Sequence, residues 1–291
     1  LGSLALLLVH TLTGGAWGLA LRPALLRGIC ALPLLVPAAV PFASGLGRLY
    51  GWARATPASG AFYLQPPFFW GRFLLSLAIW LALGALSLGH RRRAIAPVGL
   101  ALLALTASFA AIDTTMSLTP GFVSSAYGMT VACGMVMLAL ALAVLATPLP
   151  GPALADPARL LLALVALFLY LDFMQFLIIW QSGLASEARW YLPRAIGLFG
   201  TLRLVLFALD LIVVLMLMPV ASAWGGAGLL RWAALLVVAG EILRAWWLVL
   251  PAFGRTVSWI DLACMAGTGG LALGFGRWAA GRPFVRARAH A

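Results

Sequence analysis

Seven carboxylates and three histidines are the main acid–base groups of this 291-residue chain, and most of them fall in or beside long apolar runs. A charge inside an apolar segment costs about 3 kcal/mol or more unless it is paired or hydrated, so each one marks a functional candidate. Asp172 and Gln175 are three residues apart, and Arg203 and Asp210 seven apart, so each pair shares one face of a helix. Glu241 and Arg244, also three apart, lie mid-way along another apolar run. Asp113 closes one run and Asp261 opens another, as residues at a membrane interface would. Two carboxylates and two arginines on adjacent helices point to a buried network, for instance Asp210 with Arg244 and Glu241 with Arg203. Such a network either holds helices in register or carries protons; the residue types allow both. Asp172 has no arginine within a turn on its own helix, and a lone membrane carboxylate usually faces water or a proton path.

Several chemistries are excluded. A b-type haem needs paired axial histidines inside helices, but only His10 lies within an apolar run, His90 and His290 being terminal to theirs. Cys30, Cys133 and Cys264 occur singly, without a CxxC or a nearby His, and read as small core residues rather than disulfide or metal ligands. The pairs Gly14-Gly15, Gly225-Gly226 and Gly269-Gly270 suit close helix packing or turns better than a phosphate loop. The chain carries no redox centre of its own, and no metal site is expected.

The elements that position these residues are membrane helices. Hydrophobic residues make up 64% of the chain and charged residues 9%, against about 25% charged in a soluble domain. A water-soluble globule could not cover its surface with so few charges. At roughly 20 residues per crossing, the apolar content supplies about nine spans. These are Leu1–Leu19, Ile29–Leu46, Phe68–Leu88, Ile95–Ile112, Val123–Ala146, Leu160–Trp180, Ala195–Met218, Leu230–Leu250 and Trp259–Phe275. The spans are long, unalternating and rich in Leu and Ala, which favours an all-α polytopic fold over a barrel. Pro33, Pro37 and Pro41 predict a kink in the second span. The chain reads as one integral membrane domain, residues 1–291, ending in a basic tail over residues 282–291.

The net charge of +12 comes from 19 basic residues, all Arg, placed in short connections and at helix ends. That distribution reads as membrane topology and contact with anionic lipid headgroups, not as nucleic-acid binding. Alternate connections and the tail carry eleven Arg and the opposite set six, which predicts a cytoplasmic C-terminus and an outer Leu1. Two outer connections stand out as possible docking faces. Leu46–Pro67 is long and aromatic, while Gln181–Pro193 is amphipathic and suited to lie on the membrane surface.

Several stretches resemble ActF, a membrane subunit of bacterial alternative complex III and a relative of the NrfD and PsrC anchors. They are His10 to Gly18 (HTLTGGAWG), Leu49 to Trp52 (LYGW), Phe109 to Asp113 followed by Met116 to Pro120, and Tyr170 to Trp180 (YLDFMQFLIIW) followed by Trp190, Tyr191, Leu192 and Arg194. The blocks occur in the family's order over the first two thirds of the chain. The resemblance implies two four-helix bundles with flanking helices. It also implies a place in a quinol:cytochrome c oxidoreductase of the bacterial cytoplasmic membrane. Partners would be an NrfD-like paralogous membrane subunit that is the better quinol site, an iron–sulfur subunit, c-type haem subunits and a terminal oxidase. Haem c and iron–sulfur clusters would belong to those partners, leaving this chain at most a quinone or lipid. The polar residues carried over by position are His10, Asp113, Asp172 and Gln175, read as a candidate proton path. Arg203, Asp210, Glu241 and Arg244 form a second polar cluster.

The chain departs from that family in length and in span count, as though one N-terminal helix lay outside the numbering, and Thr114 stands where an aromatic commonly follows the Asp. The expected function is therefore a non-enzymatic subunit conducting protons beside a quinol-oxidising partner, with Asp172 as carrier and Gln175 orienting water. The alternatives are a stand-alone secondary transporter, against which no inverted repeat of broken helices is found, and a scaffold whose charges only join helices.

Overall fold

The computed structural model describes residues 1–54, 62–88, 92–119 and 121–282. His90, Arg91, Pro120, His290 and all but the first residue of the expected basic tail lie outside the described residues. Among the described residues every regular element is helical: α1 (Gly2–Thr13), α2 (Ala16–Cys30), α3 (Leu35–Leu49), α4 (Pro66–Ser87), α5 (Arg92–Thr114), α6 (Tyr127–Leu145), α7 (Ala155–Ser182), α8 (Ala185–Ala195), α9 (Gly197–Ala221), α10 (Ala227–Val249) and α11 (Trp259–Ala280).

Seven described segments are long and apolar enough to cross a membrane: Ala16–Leu49, Pro66–Ser87, Arg93–Leu118, Tyr127–Leu145, Ala155–Ser182, Gly197–Ala221 and Ala227–Phe253. The sequence led us to expect nine. The first expected span divides at Gly14-Gly15, whose φ values of 72° and 105° are open to glycine and strained for other residues. Before the break, α1 has only 12 residues. After it, α2 continues through a short 3-10 turn at Leu32–Leu34, which holds Pro33, into α3, which holds Pro41. Arg22 and Arg27, expected in a connection, therefore lie inside α2, and Arg22 is buried. Helix α11 is not among the seven, because its many glycines and the charges Asp261 and Arg277 lower its hydropathy.

The core has two main parts. α6, α7, α9 and α10 pack in a ring around buried Met137, Leu161, Val165, Val213, Leu217 and Val237. α1, α2, α4 and α5 enclose Leu4, Leu7, Leu26, Ile29, Leu83 and Leu103. Glycine brings the two groups together: Gly128 of α6 lies on Ser108 of α5, and Gly2 of α1 lies on the Met135 carbonyl of α6, with no room for a β-carbon at either place. Arginines tie helix ends to one another. Arg159 Nε donates to the Ala221 carbonyl at 2.9 Å, and Arg194 Nη2 to the Leu248 carbonyl at 2.7 Å.

The expected surface piece at Gln181–Pro193 contains the short helix α8. One side of α8 turns inward rather than lying flat: Trp190 and Arg194 are buried, with the guanidinium 4.0 Å above the Trp190 ring and its Nη1 bonded to the Trp190 carbonyl at 2.7 Å. Burial pulls Arg194 down to about 10, which still leaves it charged at neutral pH.

Candidate intramembrane charge site

Three helices of the α6–α7–α9–α10 ring supply the site. On α7, the i, i+3 spacing turns Asp172 and Gln175 to one side; on α9, two turns separate Arg203 from Asp210 on one face; on α10, Glu241 and Arg244 sit within one turn. Packing of α9 against both α7 and α10 then brings all five charges together.

Asp172 accepts a hydrogen bond from Arg203 Nη2 through Oδ2. Arg244 serves two carboxylates: its Nη2 lies 3.1 and 3.0 Å from Asp210 Oδ1 and Oδ2, and its Nε 2.9 Å from Glu241 Oε1. Aromatic faces hold both guanidiniums, Arg244 at 3.8 Å over Phe168 and Arg203 at 5.1 Å over Trp247. Gln175 is buried, accepting from Ser124 Oγ at 3.2 Å and donating to Tyr191 Oη at 3.4 Å. The Tyr191 phenol, pushed up to about 12 chiefly by burial, stays neutral and adds no charge.

These groups border a cavity of about 270 Å³. Asp172, Gln175, Arg203, Glu241 and Arg244 form its polar wall, while Phe168, Trp190, Trp247 and aliphatic side chains form the rest. Asp210 is not on the wall. Three carboxylates face two guanidiniums, so the fully ionised cluster carries one net negative charge. In a medium where unbalanced charge is expensive, one proton brings it to neutrality.

Two expected pairings change. Asp210 does pair with Arg244, but Glu241 shares that same arginine instead of taking Arg203. Asp172 is not lone, since Arg203 reaches it from the next membrane helix. The four residues carried over as a path do not form one group. Asp172 and Gln175 share the cavity, whereas His10 Nε2 lies 3.0 Å from the Gly15 carbonyl, its ring edge-on to Trp17 in the α1–α2 turn. Leu8 packs over Gly99 of α5, so His10 lies near that level and Asp113 roughly 20 Å farther along the helix.

Asp113 is not at an open interface. It is buried at the end of α5 and held in bidentate fashion by Arg72 of α4, with Nε to Oδ2 at 3.0 Å and Nη2 to Oδ1 at 2.8 Å. Arg72 also donates to the Tyr63 carbonyl at 2.9 Å and lies 3.8 Å from that ring's centre. Burial, with the Asp113 charge adding to it, pushes the Tyr63 phenol up to about 12, so it stays neutral. Nearby, Tyr50 Oη donates to the Thr114 carbonyl at 2.7 Å. Asp261 opens α11 as expected, in a capping box with Ser258. Reading by residue type missed Arg72 and Arg194 as site residues, counting them with the loop arginines, and did not single out Gly134, which lies against Glu241.

Among the described residues, no group of three or more His, Cys, Asp or Glu is placed to hold a metal ion. No protein-family model matches the chain, and no curated protein does.

Proposed function

We propose that this chain is the proton-handling membrane subunit of a quinol-oxidising respiratory assembly of the alternative complex III type. One observation carries the reading: a five-residue charge cluster with one surplus carboxylate borders a cavity between membrane helices. The stretches resembling ActF are further support, above all Tyr170 to Trp180, which contributes Asp172 and Gln175 to that cavity wall.

In this reading the arginines keep two carboxylates ionised inside the membrane, and the aromatic and aliphatic walls exclude bulk water. A proton entering the cavity neutralises the surplus charge, is held there, and leaves when the partner's redox state favours its release. Electron transfer belongs to the partners. His10 and Asp113 stand apart from this site, at a turn and at a saturated ion pair.

The test is gentle-detergent purification of the native protein, with mass spectrometry of the co-purifying chains and a reduced-minus-oxidised spectrum. The account expects c-type haem absorption, an iron–sulfur protein and a second polytopic membrane subunit. A solitary, colourless protein would overturn it and put a stand-alone transporter in its place.

A further inference from the structure

We infer that Glu241 is the residue that holds the proton, and that Gly134 is the positioning residue that makes its seat; the inference rests on the proton-handling reading above. The three carboxylates of the cluster are not equivalent. Asp172 has its own arginine, Arg203. Asp210 has both oxygens within hydrogen-bond distance of Arg244 Nη2 and does not reach the cavity. Glu241, which lines the cavity as Asp172 does, has no arginine to itself: it receives one bond, on Oε1, from the Nε of the arginine that Asp210 also holds. With Glu241 protonated, two one-to-one pairs remain, Asp172 with Arg203 and Asp210 with Arg244, and no net charge is left in the membrane.

The second oxygen explains the glycine. Glu241 Oε2 lies against α6 where a β-carbon on Gly134 would approach it to 2.8 Å, closer than real contacts allow. A side chain there would push the carboxylate from its place. Charged and titratable groups surround Glu241 on several elements. Arg244 lies on its own helix, and Asp210 reaches Arg244 from α9. Cys133 beside it on α6 has its thiol turned to the Leu164 carbonyl, and Asp172 and Arg203 stand elsewhere on the cavity wall.

The chain contains two glutamates, Glu187 and Glu241, which makes the assignment testable by isotope. The full chain bearing Glu187→Gln would be produced with glutamate carrying carbon-13 in its side-chain carboxyl, and infrared difference spectra recorded as pH is stepped. The expected result is a protonated-carboxyl C=O band that moves to lower frequency with labelled glutamate and not with labelled aspartate. Gly134→Ala should move or abolish that band, whereas Gly240→Ala, which meets nothing within 4 Å, should leave it in place. A band that follows labelled aspartate would overturn the assignment to Glu241 while leaving a proton in the cluster. The absence of any protonated-carboxyl band would overturn both the assignment and the proton-handling reading.

Discussion

Two sets of ion pairs lie among the helices, and they are built differently. At the end of α5, Asp113 meets Arg72 one to one, both carboxylate oxygens are bonded, and Tyr63 and Phe68 cover the guanidinium. Among α7, α9 and α10, three carboxylates share two arginines at the side of a cavity, and Asp172 and Glu241 are each bonded through a single oxygen. Both sets are largely buried, so burial does not tell them apart. Charge balance and access do: the first is a clamp with nothing left to bind, the second is one proton short of neutrality.

Mutations can break or sharpen this contrast. The largest effect belongs to Arg244→Met, which leaves Asp210 and Glu241 uncompensated. Removing one partner of a buried pair costs roughly 3–5 kcal/mol, so folded yield in detergent should collapse. Asp113→Asn comes next, at about 3 kcal/mol by the same reasoning, because Arg72 is left unpaired. Thermal unfolding in detergent would check it, and the double substitution Arg72→Met with Asp113→Leu should recover most of the loss if the pair is purely structural. Phe168→Leu, which strips the ring from beneath Arg244, should cost about 1–2 kcal/mol, read as a lower melting temperature. The smallest effect is the most diagnostic. Glu241→Gln removes the surplus charge and should leave melting temperature unchanged or slightly raised, whereas a drop like that of Asp113→Asn would erase the distinction between the two sites.

Residue type and spacing made much of this legible. Long apolar runs announced the helices, Pro33 falls where a 3-10 turn interrupts the helix between α2 and α3, and mid-span charges picked out five members of the site. The Asp210–Arg244 pair followed from mid-span charges on adjacent helices. What failed depended on tertiary approach. Asp172 looked unpaired because Arg203 lies 31 residues away and meets it only when α7 packs on α9. Asp113 looked interfacial because Arg72, 41 residues earlier, read as a topology charge. Gly14-Gly15 carries the composition of a packing or turn motif, but hydropathy runs on across it, because hydropathy alone does not register the positive φ that ends α1. Gly134 carries no signal of its own; its role appears only where Glu241 crosses α6.

The most direct measurement is the number of protons translocated per electron by the purified assembly in liposomes, with Glu241→Gln set against the unmodified chain. The account predicts intact assembly, retained electron transfer and a lower proton-to-electron ratio for the variant. An unchanged ratio at full assembly would contradict it and reduce the cluster to a second structural clamp.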